Sequence, residues 1–432
     1  MTKIIKIMAV VVAVFSLSLV LNSCEKRTLP VELKFDKGLD YTSSFNDTSS
    51  FWFNYLGDNT YRELSVYTPP GYSPTDTTVK YPILYLLHGF GGDQDYFTDI
   101  YGLNSIADEL IAKSEIDPMI IATIDASSVL GGGFYTDSDS FGVITVIDTL
   151  YFNYTAHDPA GNPIDSVAVT DTNDVTRTFS GLFESLVIDQ LKREIEANYN
   201  IYTDRAHTGI GGHSMGGYGA MKIAMKYPEI YGSVSSMSAP LAFNYLAGFV
   251  PSILAENGLS ATNTDSVNEA LFHNIIPSRS RSLTMMMLAM ASVFSPHGFG
   301  DADSSHWVGL PIYDTLQTVI RVGVKLPFNW TYFTDPTLDT PIWAQWLEHD
   351  CLTMLPTYAP GFGNTAIYMD CGDNDELMLK LHSDAFDAVL TAAGISHEYY
   401  VYSGYEGNPA GHSDYVAQRL REVLKFHSRN FQ

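Results

Sequence analysis

Residues 212–216 read Gly-His-Ser-Met-Gly and place a serine between two glycines. This pattern is typical of a sharp turn from a strand into a helix, where glycines avoid the collisions that side chains would make. The segment before it, 205–211, has the composition of a strand, and the segment after it, 217–227, is predicted to be a helix that ends before Pro228. Because such a turn exposes the serine hydroxyl, we predict that Ser214 is a catalytic nucleophile.

A serine hydroxyl is a weak nucleophile and needs a base within hydrogen-bond reach and an acid that orients the base. A predicted strand at 365–371 leads into a turn that carries Asp373 and Asp375, and a later loop ends at His412. We predict that His412 is the base and Asp375 the acid, with Asp373 as the alternative acid. Asp370 is less favoured because it lies within the predicted strand.

The third requirement is a pair of backbone N–H groups that stabilise the charge developing on the substrate carbonyl oxygen. Met215 follows the nucleophile and is predicted to supply one of them. The loop at 86–92, Leu-Leu-His-Gly-Phe-Gly-Gly, follows an early strand, and Phe90 is predicted to supply the other. In the same loop we expect His88 to be buried and to fix the loop, with substrate contact as the alternative. His382 is predicted to be structural.

The elements that must position these residues alternate between strand and helix. The segment at 61–68 alternates in the manner of a strand, and 81–87 and 119–125 are continuous apolar runs, with a helix predicted near 103–114. Continuous apolar runs are typical of strands that are buried on both faces. The alternation therefore indicates an α/β protein with a mostly parallel central sheet flanked by helices.

Two insertions interrupt this alternation, at about 127–178 and 241–357. The first contains a glycine run and Thr/Val/Ile segments, and is predicted to be a loop with a small hairpin. The second contains a methionine-rich run at 283–291 and several tryptophans. Since it follows a strand whose carboxyl end should border the site, we predict that it forms a cap over the pocket. Its methionines and tryptophans either shape the substrate site or form a core of the cap, and the second interpretation is favoured.

Several motifs together resemble the esterase D family of α/β-hydrolases. This family includes feruloyl and acetylxylan esterases of carbohydrate esterase family 1, S-formylglutathione hydrolases, enterochelin esterases and mycolyltransferases. The resemblance covers about 61–127, 179–238 and 365–421. The motifs that carry it are Tyr-Thr-Pro-Pro-Gly-Tyr from Tyr67, the loop at 86–92, Ile188-Asp189 with Asn200-Ile201-Tyr202, Gly-His-Ser-Met-Gly-Gly-Tyr-Gly-Ala from Gly212, Asp-Cys-Gly-x-x-Asp from Asp370, and the Gly-His loop at Gly411.

The resemblance implies an α/β-hydrolase fold with Ser214, Asp375 and His412 as the catalytic triad and Phe90 and Met215 as oxyanion donors. It also implies a serine carboxylesterase that forms an acyl-enzyme and hydrolyses acyl or feruloyl esters, either on small molecules or on polysaccharides. An acyltransferase to a sugar or lipid acceptor is the alternative. A non-catalytic glycan-binding lipoprotein is less favoured because no triad residue is missing. Both insertions are larger than is usual in the family, so the motifs do not identify the substrate.

The amino-terminal segment is typical of exported proteins. Two lysines precede an apolar run at 7–21, which is too short to be read as a spanning helix and ends in Leu-Asn-Ser-Cys. The small residue before Cys24 resembles the lipobox of bacterial lipoproteins. We therefore predict a lipoprotein signal peptide at 1–23 and a lipid on Cys24 that anchors the protein to a membrane of the bacterial cell envelope. Simple secretion is the alternative.

The remaining chain is divided into a polar tether at 24–50 and a hydrolase domain at 51–432. The formal net charge of −25 excludes nucleic acid as a favourable partner because such a surface repels phosphates. In an exported protein Cys351 and Cys371 are able to form a disulfide, with two buried thiols as the alternative. No metal or cofactor is predicted, since acidic loops such as 137–139 and 301–303 lack the ligand set of an EF-hand.

Overall fold

The structure is a computed structural model that describes residues 45–52, 61–128, 130–147, 174–256, 282–297, 310–313, 319–324, 327, 340–404 and 409–432. The predicted signal peptide, the lipidation site at Cys24 and most of the predicted tether lie outside these residues. None of the described helices is both long and apolar enough to cross a bilayer.

The core of the protein is one large sheet. In chain order the strands are β1 (Phe45–Trp52), β2 (Tyr61–Thr68), β3 (Ile83–Leu87), β4 (Ile120–Ile124), β5 (Asp137–Ile147), β6 (Asp174–Leu182), β7 (Thr208–His213), β8 (Ser233–Met237), β9 (Pro296–His297), β10 (Leu310–Tyr313), β11 (Val319–Val324), β12 (Ala366–Gly372) and β13 (Glu398–Tyr402). The eight-stranded sheet has the order β1-β2-β4-β3-β7-β8-β12-β13. Its neighbours are parallel except β1–β2 and β2–β4. The mostly parallel sheet that the sequence predicts is confirmed.

Helices cover both faces of this sheet. They are α1 (Leu103–Ala112), α2 (Phe183–Ser185 continued by Lys192–Asn198 through a π-helical turn at Leu186–Leu191), α3 (Met215–Lys226), α4 (Val250–Glu256), α5 (Ser282–Phe294), α6 (Thr340–Leu347), α7 (Cys351–Phe362), α8 (Leu379–Ala392) and α9 (Val416–Asn430), with shorter turns at Tyr96–Ile100, Arg205–His207 and Phe243–Phe249. All five residues of β3 are buried. Ile83, Tyr85 and Leu87 face the cluster that includes α3, whereas Leu84 and Leu86 face α1 and α9. The two-sided burial explains why this strand is a continuous apolar run.

The first strand begins earlier than the sequence indicates. β1 starts at Phe45 and pairs antiparallel with β2 from Phe45 opposite Thr68 to Trp52 opposite Tyr61. Its first residues therefore lie inside the segment 24–50 that is predicted to be a tether. This edge strand is mostly polar, and the backbone hydrogen bonds of an edge strand do not require the apolar alternation by which strands are recognised.

Both insertions contain regular structure. Within the first, β5 pairs antiparallel with β6 as a separate two-stranded sheet. The second contributes α4, α5, α6 and the three-stranded sheet β10-β11-β9. Its helix α5 packs into the main core, where Met287 and Leu288 are buried, and Trp346 is buried against Phe243 and Phe294. The described part of this insertion thus shares the main core.

Two polar details in the fold answer questions that the sequence leaves open. Cys351 and Cys371 are both buried free thiols. Asp137, in one of the acidic loops considered for calcium, accepts hydrogen bonds from the backbone N–H groups of Glu184 and Ser185 at 2.8 and 2.9 Å. It therefore caps the start of α2. The other acidic loop, 301–303, lies outside the described residues.

A buried ionic cluster joins α2 to α3, the helix that follows the predicted nucleophile. The Lys222 ammonium lies 3.1 Å from Glu184 Oε2 and donates to Thr136 Oγ1 at 2.6 Å, and Lys226 pairs with the other oxygen of Glu184. The Tyr227 hydroxyl also donates to Glu184 at 2.8 Å. Burial raises the pKa of Glu184, but Lys222 and Lys226 lower it more strongly, to about 2. Glu184 is therefore ionised and compensates a fully buried lysine.

Replacing Glu184 with glutamine is expected to lower the free energy of unfolding by about 3–5 kcal/mol, because the buried Lys222 then has no carboxylate partner. Denaturant unfolding at neutral pH measures this loss. Glu196→Gln is the matched control, since Glu196 forms an i,i+4 pair with Lys192 at the surface and its loss should cost less than about 1 kcal/mol. Equal losses in the two variants would contradict the compensating role of Glu184.

The same substitution should change the pH dependence of stability. The folded-state pKa of Glu184 is depressed from 4.5 to about 2, so its stabilising contribution is present above pH 4.5 and is lost as the pH falls toward 2. Glu184→Gln should lack this acid-dependent part of the stability. The free energies of unfolding of the two proteins should therefore converge at low pH, and a constant difference down to pH 2 would argue against the assignment.

Candidate active site

Ser214 occupies a tight turn between β7 and α3. Its backbone has φ 57° and ψ −120°, a conformation that costs a non-glycine residue on the order of 1–3 kcal/mol. The glycines on either side are required by close approach. A Cβ on Gly216 would lie 1.8 Å from the Leu87 carbonyl oxygen, and a Cβ on Gly212 would lie 2.3 Å from the Gly216 carbonyl carbon. The local sequence therefore folds into the strained turn that the motif predicts.

The structure brings Ser214, His412 and Asp375 into one hydrogen-bonded chain. Ser214 Oγ lies 2.9 Å from His412 Nε2, and His412 Nδ1 lies 2.9 Å from Asp375 Oδ2. Because a carboxylate accepts, Nδ1 carries the proton and Nε2 is left to accept the serine hydroxyl proton. All three side chains are buried. This is the geometry in which a histidine can deprotonate a serine.

The three candidate acids have different partners. Asp375 also accepts from the Leu377 N–H at 2.9 Å, and burial, which raises its pKa, is outweighed by the hydrogen bond and charge of His412, which lower it. Asp373 instead accepts from the Ala410 N–H at 2.8 Å. Asp370 pairs with Arg419, and both of these side chains are fully buried. Of the three, Asp375 alone contacts the His412 ring.

Three carboxylates hold the backbone of the loop that carries His412. Each carboxylate accepts one backbone N–H at a donor–acceptor distance of 2.8 Å. Asp373 accepts from Ala410, Asp414 from Gly411, and Glu376 from His412. Three consecutive amides are thereby fixed by charge-assisted hydrogen bonds, which are stronger than neutral ones. The imidazole is therefore presented from a loop with a defined backbone position.

A further network beneath the site was not predicted from the sequence. His213 Nε2 donates to the His412 carbonyl oxygen at 3.1 Å, and His213 Nδ1 accepts from the Tyr96 hydroxyl at 2.7 Å. Burial first, and then the charges of His412 and Arg419, hold the pKa of His213 well below its usual value. His213 is therefore neutral. The sequence shows that His213 lies inside the Gly-His-Ser-Met-Gly motif, but it does not show the partners of His213, which come from distant parts of the chain.

Arg419 and Cys371 extend this network to the triad acid. Arg419 donates to Ser238 Oγ at 2.8 Å and to the His412 carbonyl oxygen at 3.4 Å. The Ser238 hydroxyl contacts the Cys371 sulfur, and the Cys371 thiol contacts Asp375 Oδ2, both at 3.6 Å. Burial raises the pKa of this thiol, so it stays protonated and can donate. The sequence offers no local signal for this chain of contacts.

Phe90 and Met215 both line the pocket beside Ser214. Within the part of the chain that the structure describes, neither residue's backbone N–H donates a hydrogen bond to another protein group. The loop of Phe90 is braced by the glycine run of the first insertion, because the Gly91 N–H donates to the Gly131 carbonyl oxygen at 2.9 Å. The predicted oxyanion hole requires two such available donors.

His88 and His382 are both buried, and both form hydrogen bonds with backbone groups. The proton on His88 Nδ1 is donated to the Gly89 carbonyl oxygen at 2.8 Å, and its Nε2 accepts from the Ala126 N–H at 2.9 Å. It therefore links the oxyanion loop to the end of β4. His382 accepts from the Ala242 N–H at 3.2 Å, and burial lowers its pKa to about 3. Neither histidine contacts the Ser214 hydroxyl.

A small pocket lies beside Ser214. The second insertion forms part of its wall through Leu246, Phe249, Met286 and Met290. Part of the methionine-rich run therefore shapes the pocket, and part of it belongs to the core, with Met290 taking part in both. No cluster of three or more metal-binding side chains occurs in the described ranges.

Comparisons with known proteins agree with this geometry. A family model described as esterase matches residues 57–141 and 152–415. An esterase of Mycobacterium tuberculosis is 31% identical over 188 residues, which are 43% of this chain and 31% of the relative. A xylanase/feruloyl esterase of Xylanibacter ruminicola is 26% identical over 185 residues, which are 42% of this chain and 20% of the relative. The match spans about a third or less of either relative's length.

The fold is also that of solved esterases. A ferulic acid esterase superposes with a TM-score of 0.50 and 18% identity, covering 91% of this chain and all of the other. At this identity the likeness concerns the fold, an α/β-hydrolase sheet with flanking helices. The family model covers most of the chain. The chain therefore belongs to the esterase family of α/β-hydrolases.

Proposed function

We propose that this protein is a serine carboxylesterase that hydrolyses acyl esters through a covalent acyl-enzyme on Ser214. The observation that carries the proposal is the chain of two 2.9 Å contacts from Ser214 Oγ through His412 to Asp375. The pocket beside Ser214 is also lined by Phe90 and Met215, whose backbone N–H groups have no protein acceptor among the described residues. Membership of the esterase family supports the same reaction class.

The proposed reaction has two halves. In the first, Ser214 Oγ attacks the ester carbonyl carbon while its proton passes to His412 Nε2, and the N–H groups of Phe90 and Met215 stabilise the oxyanion. His412 then gives this proton to the departing alcohol oxygen, which leaves an acyl-serine. In the second half, water attacks the acyl-serine carbonyl carbon and loses a proton to His412, which passes it to Ser214 Oγ as the bond to the acyl group breaks and the acid leaves. Asp375 stabilises the imidazolium in both halves.

Acyl and feruloyl esters, including esters carried on polysaccharides, are the proposed substrates. The support comes from the names of relatives, among them a xylanase/feruloyl esterase. The test is to incubate the purified chain with a fluorophosphonate probe and with p-nitrophenyl acetate. Labelling on the peptide that contains Ser214, with release of acetate and p-nitrophenol, is expected. Absence of both labelling and turnover in folded protein would overturn the proposal.

We further propose that the protein is exported and anchored to the cell envelope by a lipid on Cys24. The support is the sequence pattern of 1–24, with an apolar run followed by Leu-Asn-Ser-Cys. An acyl anchor of this type would place the catalytic domain next to extracellular or periplasmic esters.

Cys24→Ala in the full chain is expected to abolish incorporation of labelled palmitate and to move the protein from the membrane fraction to the soluble fraction. The thiol is the attachment point, so no other residue can replace it. Ser23→Ala is the matched control, because it keeps a small residue before the cysteine and should leave lipidation intact. Palmitate incorporation into Cys24→Ala would show that the anchor lies elsewhere.

A further inference from the structure

The pocket beside Ser214 has apolar walls. Phe90 comes from the loop at 86–92 and Phe134 from the first insertion, whereas Leu246, Phe249 and the methionines of α5 come from the second insertion. Among the described residues that line it, Ser214 alone has a polar side chain, and its hydroxyl is committed to His412. A hydroxyl or carboxylate on the acyl group would therefore lose its water without gaining a hydrogen bond from a lining side chain.

We propose that this pocket takes unsubstituted aliphatic acyl groups of intermediate length, such as butanoyl and hexanoyl, in preference to hydroxylated aromatic acyl groups, and that Met286 and Met290 determine this specificity. The inference rests on the proposed esterase function and narrows its substrate class. It assigns the methionine-rich helix of the insertion a role in selecting the acyl group.

The two methionines are placed to act together. Met286 and Met290 are four residues apart on α5, so their side chains lie on one face of the helix, one turn apart. Met290 and Met287 are both buried in the main core, but Met287 does not line the pocket. The helix start is fixed because Glu256 accepts from the N–H groups of Leu283 and Thr284 at 3.0 and 2.8 Å. A fixed helix thus presents two flexible side chains to the pocket.

The aromatic walls formed by Phe90 and Phe134 are held in place. A Cβ on Gly131 would lie 2.6 Å from Phe90 Cζ, so the Phe90 ring lies directly against this backbone. Phe134 packs against Phe90, Tyr218 and Phe294, with ring centroids 6.1–6.2 Å apart. Methionine side chains, in contrast, are unbranched and adapt to flexible ligands. A chain of methylene groups can therefore be accommodated by movement of the two methionines, whereas a rigid substituted ring must fit between fixed aromatic walls.

The experiment measures kcat/KM for p-nitrophenyl esters that share one leaving group. From acetate to butanoate we expect a rise of about tenfold, because two methylene groups become buried. The cinnamate and ferulate esters form a second pair that differs by the polar ring substituents, and ferulate should be slower by about ten- to a hundredfold. A ferulate rate equal to or above that of cinnamate would overturn the inference.

Variants on α5 test the role of the two methionines. Met286→Phe and Met290→Ala should each change the ratio of hexanoate to acetate kcat/KM by fivefold or more. Met287→Leu is the control on the same helix and should leave this ratio unchanged, since Met287 does not line the pocket. The ratio does not depend on the fraction of folded protein. Unchanged ratios in both pocket variants would refute the assignment, and failure to hydrolyse any ester would contradict the esterase function itself.

Discussion

Ser214→Ala is expected to lower kcat for p-nitrophenyl acetate by about a millionfold, to the level of the remaining binding and oxyanion contributions. The reason is that Ser214 Oγ is the proposed nucleophile, it contacts His412 Nε2 at 2.9 Å, and no other hydroxyl in the described residues contacts that nitrogen. Alanine keeps the Cβ atom of serine, so the backbone strain at position 214 is unchanged by the substitution. The variant should therefore fold but not turn over, and circular dichroism with initial rates measures both.

A matched control separates loss of the nucleophile from general damage. Ser428 lies near the carboxyl end of α9 and is as buried as Ser214, each being 8% exposed. Its hydroxyl accepts from the Asp117 N–H at 2.8 Å. Ser428→Ala should keep its rate within a few-fold. The fluorophosphonate probe should label this control and spare Ser214→Ala. Full activity of Ser214→Ala would remove the basis for an acyl-serine mechanism.

The sequence was most informative where the backbone itself imposes the chemistry. The turn at Ser214 needs glycine at Gly212 and Gly216 because main-chain atoms approach within 2.3 Å of where a side chain would begin. A requirement of this kind leaves a short, readable pattern. The alternation of strand and helix was equally readable, because strands such as β3 are buried on both faces and must be apolar throughout.

Contacts between distant segments could not be read in the same way. Arg419 lies in a helix with no catalytic motif, yet it contacts both Asp370 and the His412 carbonyl oxygen. The pairing of His213 with Tyr96 likewise joins residues that are 117 positions apart. Such pairs depend on how elements pack, and a single sequence does not record packing. The edge strand β1 was missed because backbone pairing leaves little trace in side-chain type.

The choice between Asp373 and Asp375 shows the limit of the pattern within one turn. Both acids follow β12 at its carboxyl end, where a triad acid is expected. Their side chains nevertheless have different targets, His412 Nδ1 for Asp375 and the Ala410 N–H for Asp373. The spacing in the sequence favoured Asp375 over Asp373 as the acid but did not decide between them. The two residues therefore have separate proposed tasks, orienting the imidazole and holding its loop.

Asp375→Asn is expected to lower kcat by about ten-thousandfold. An amide cannot balance the charge of the imidazolium, and its NH₂ group can donate to Nδ1 and so favour the tautomer in which Nε2 carries the proton. That tautomer cannot accept a proton from Ser214. The substitution keeps an amide oxygen for the Leu377 N–H, so the turn should survive. Initial rates, together with the imidazole proton signals in NMR spectra, measure the two effects.

Asp373→Asn is the matched control, because the amide oxygen can still accept from the Ala410 N–H. We expect less than a tenfold loss of kcat and an unchanged tautomer of His412. If Asp373→Asn were instead the more damaging change, the acid of the triad would have to be reassigned. If both variants lost activity equally, holding the loop and stabilising the charged imidazole would not be separate tasks of Asp373 and Asp375. The structure argues against that result because each carboxylate contacts a different atom of the loop, one on the ring and one on the backbone.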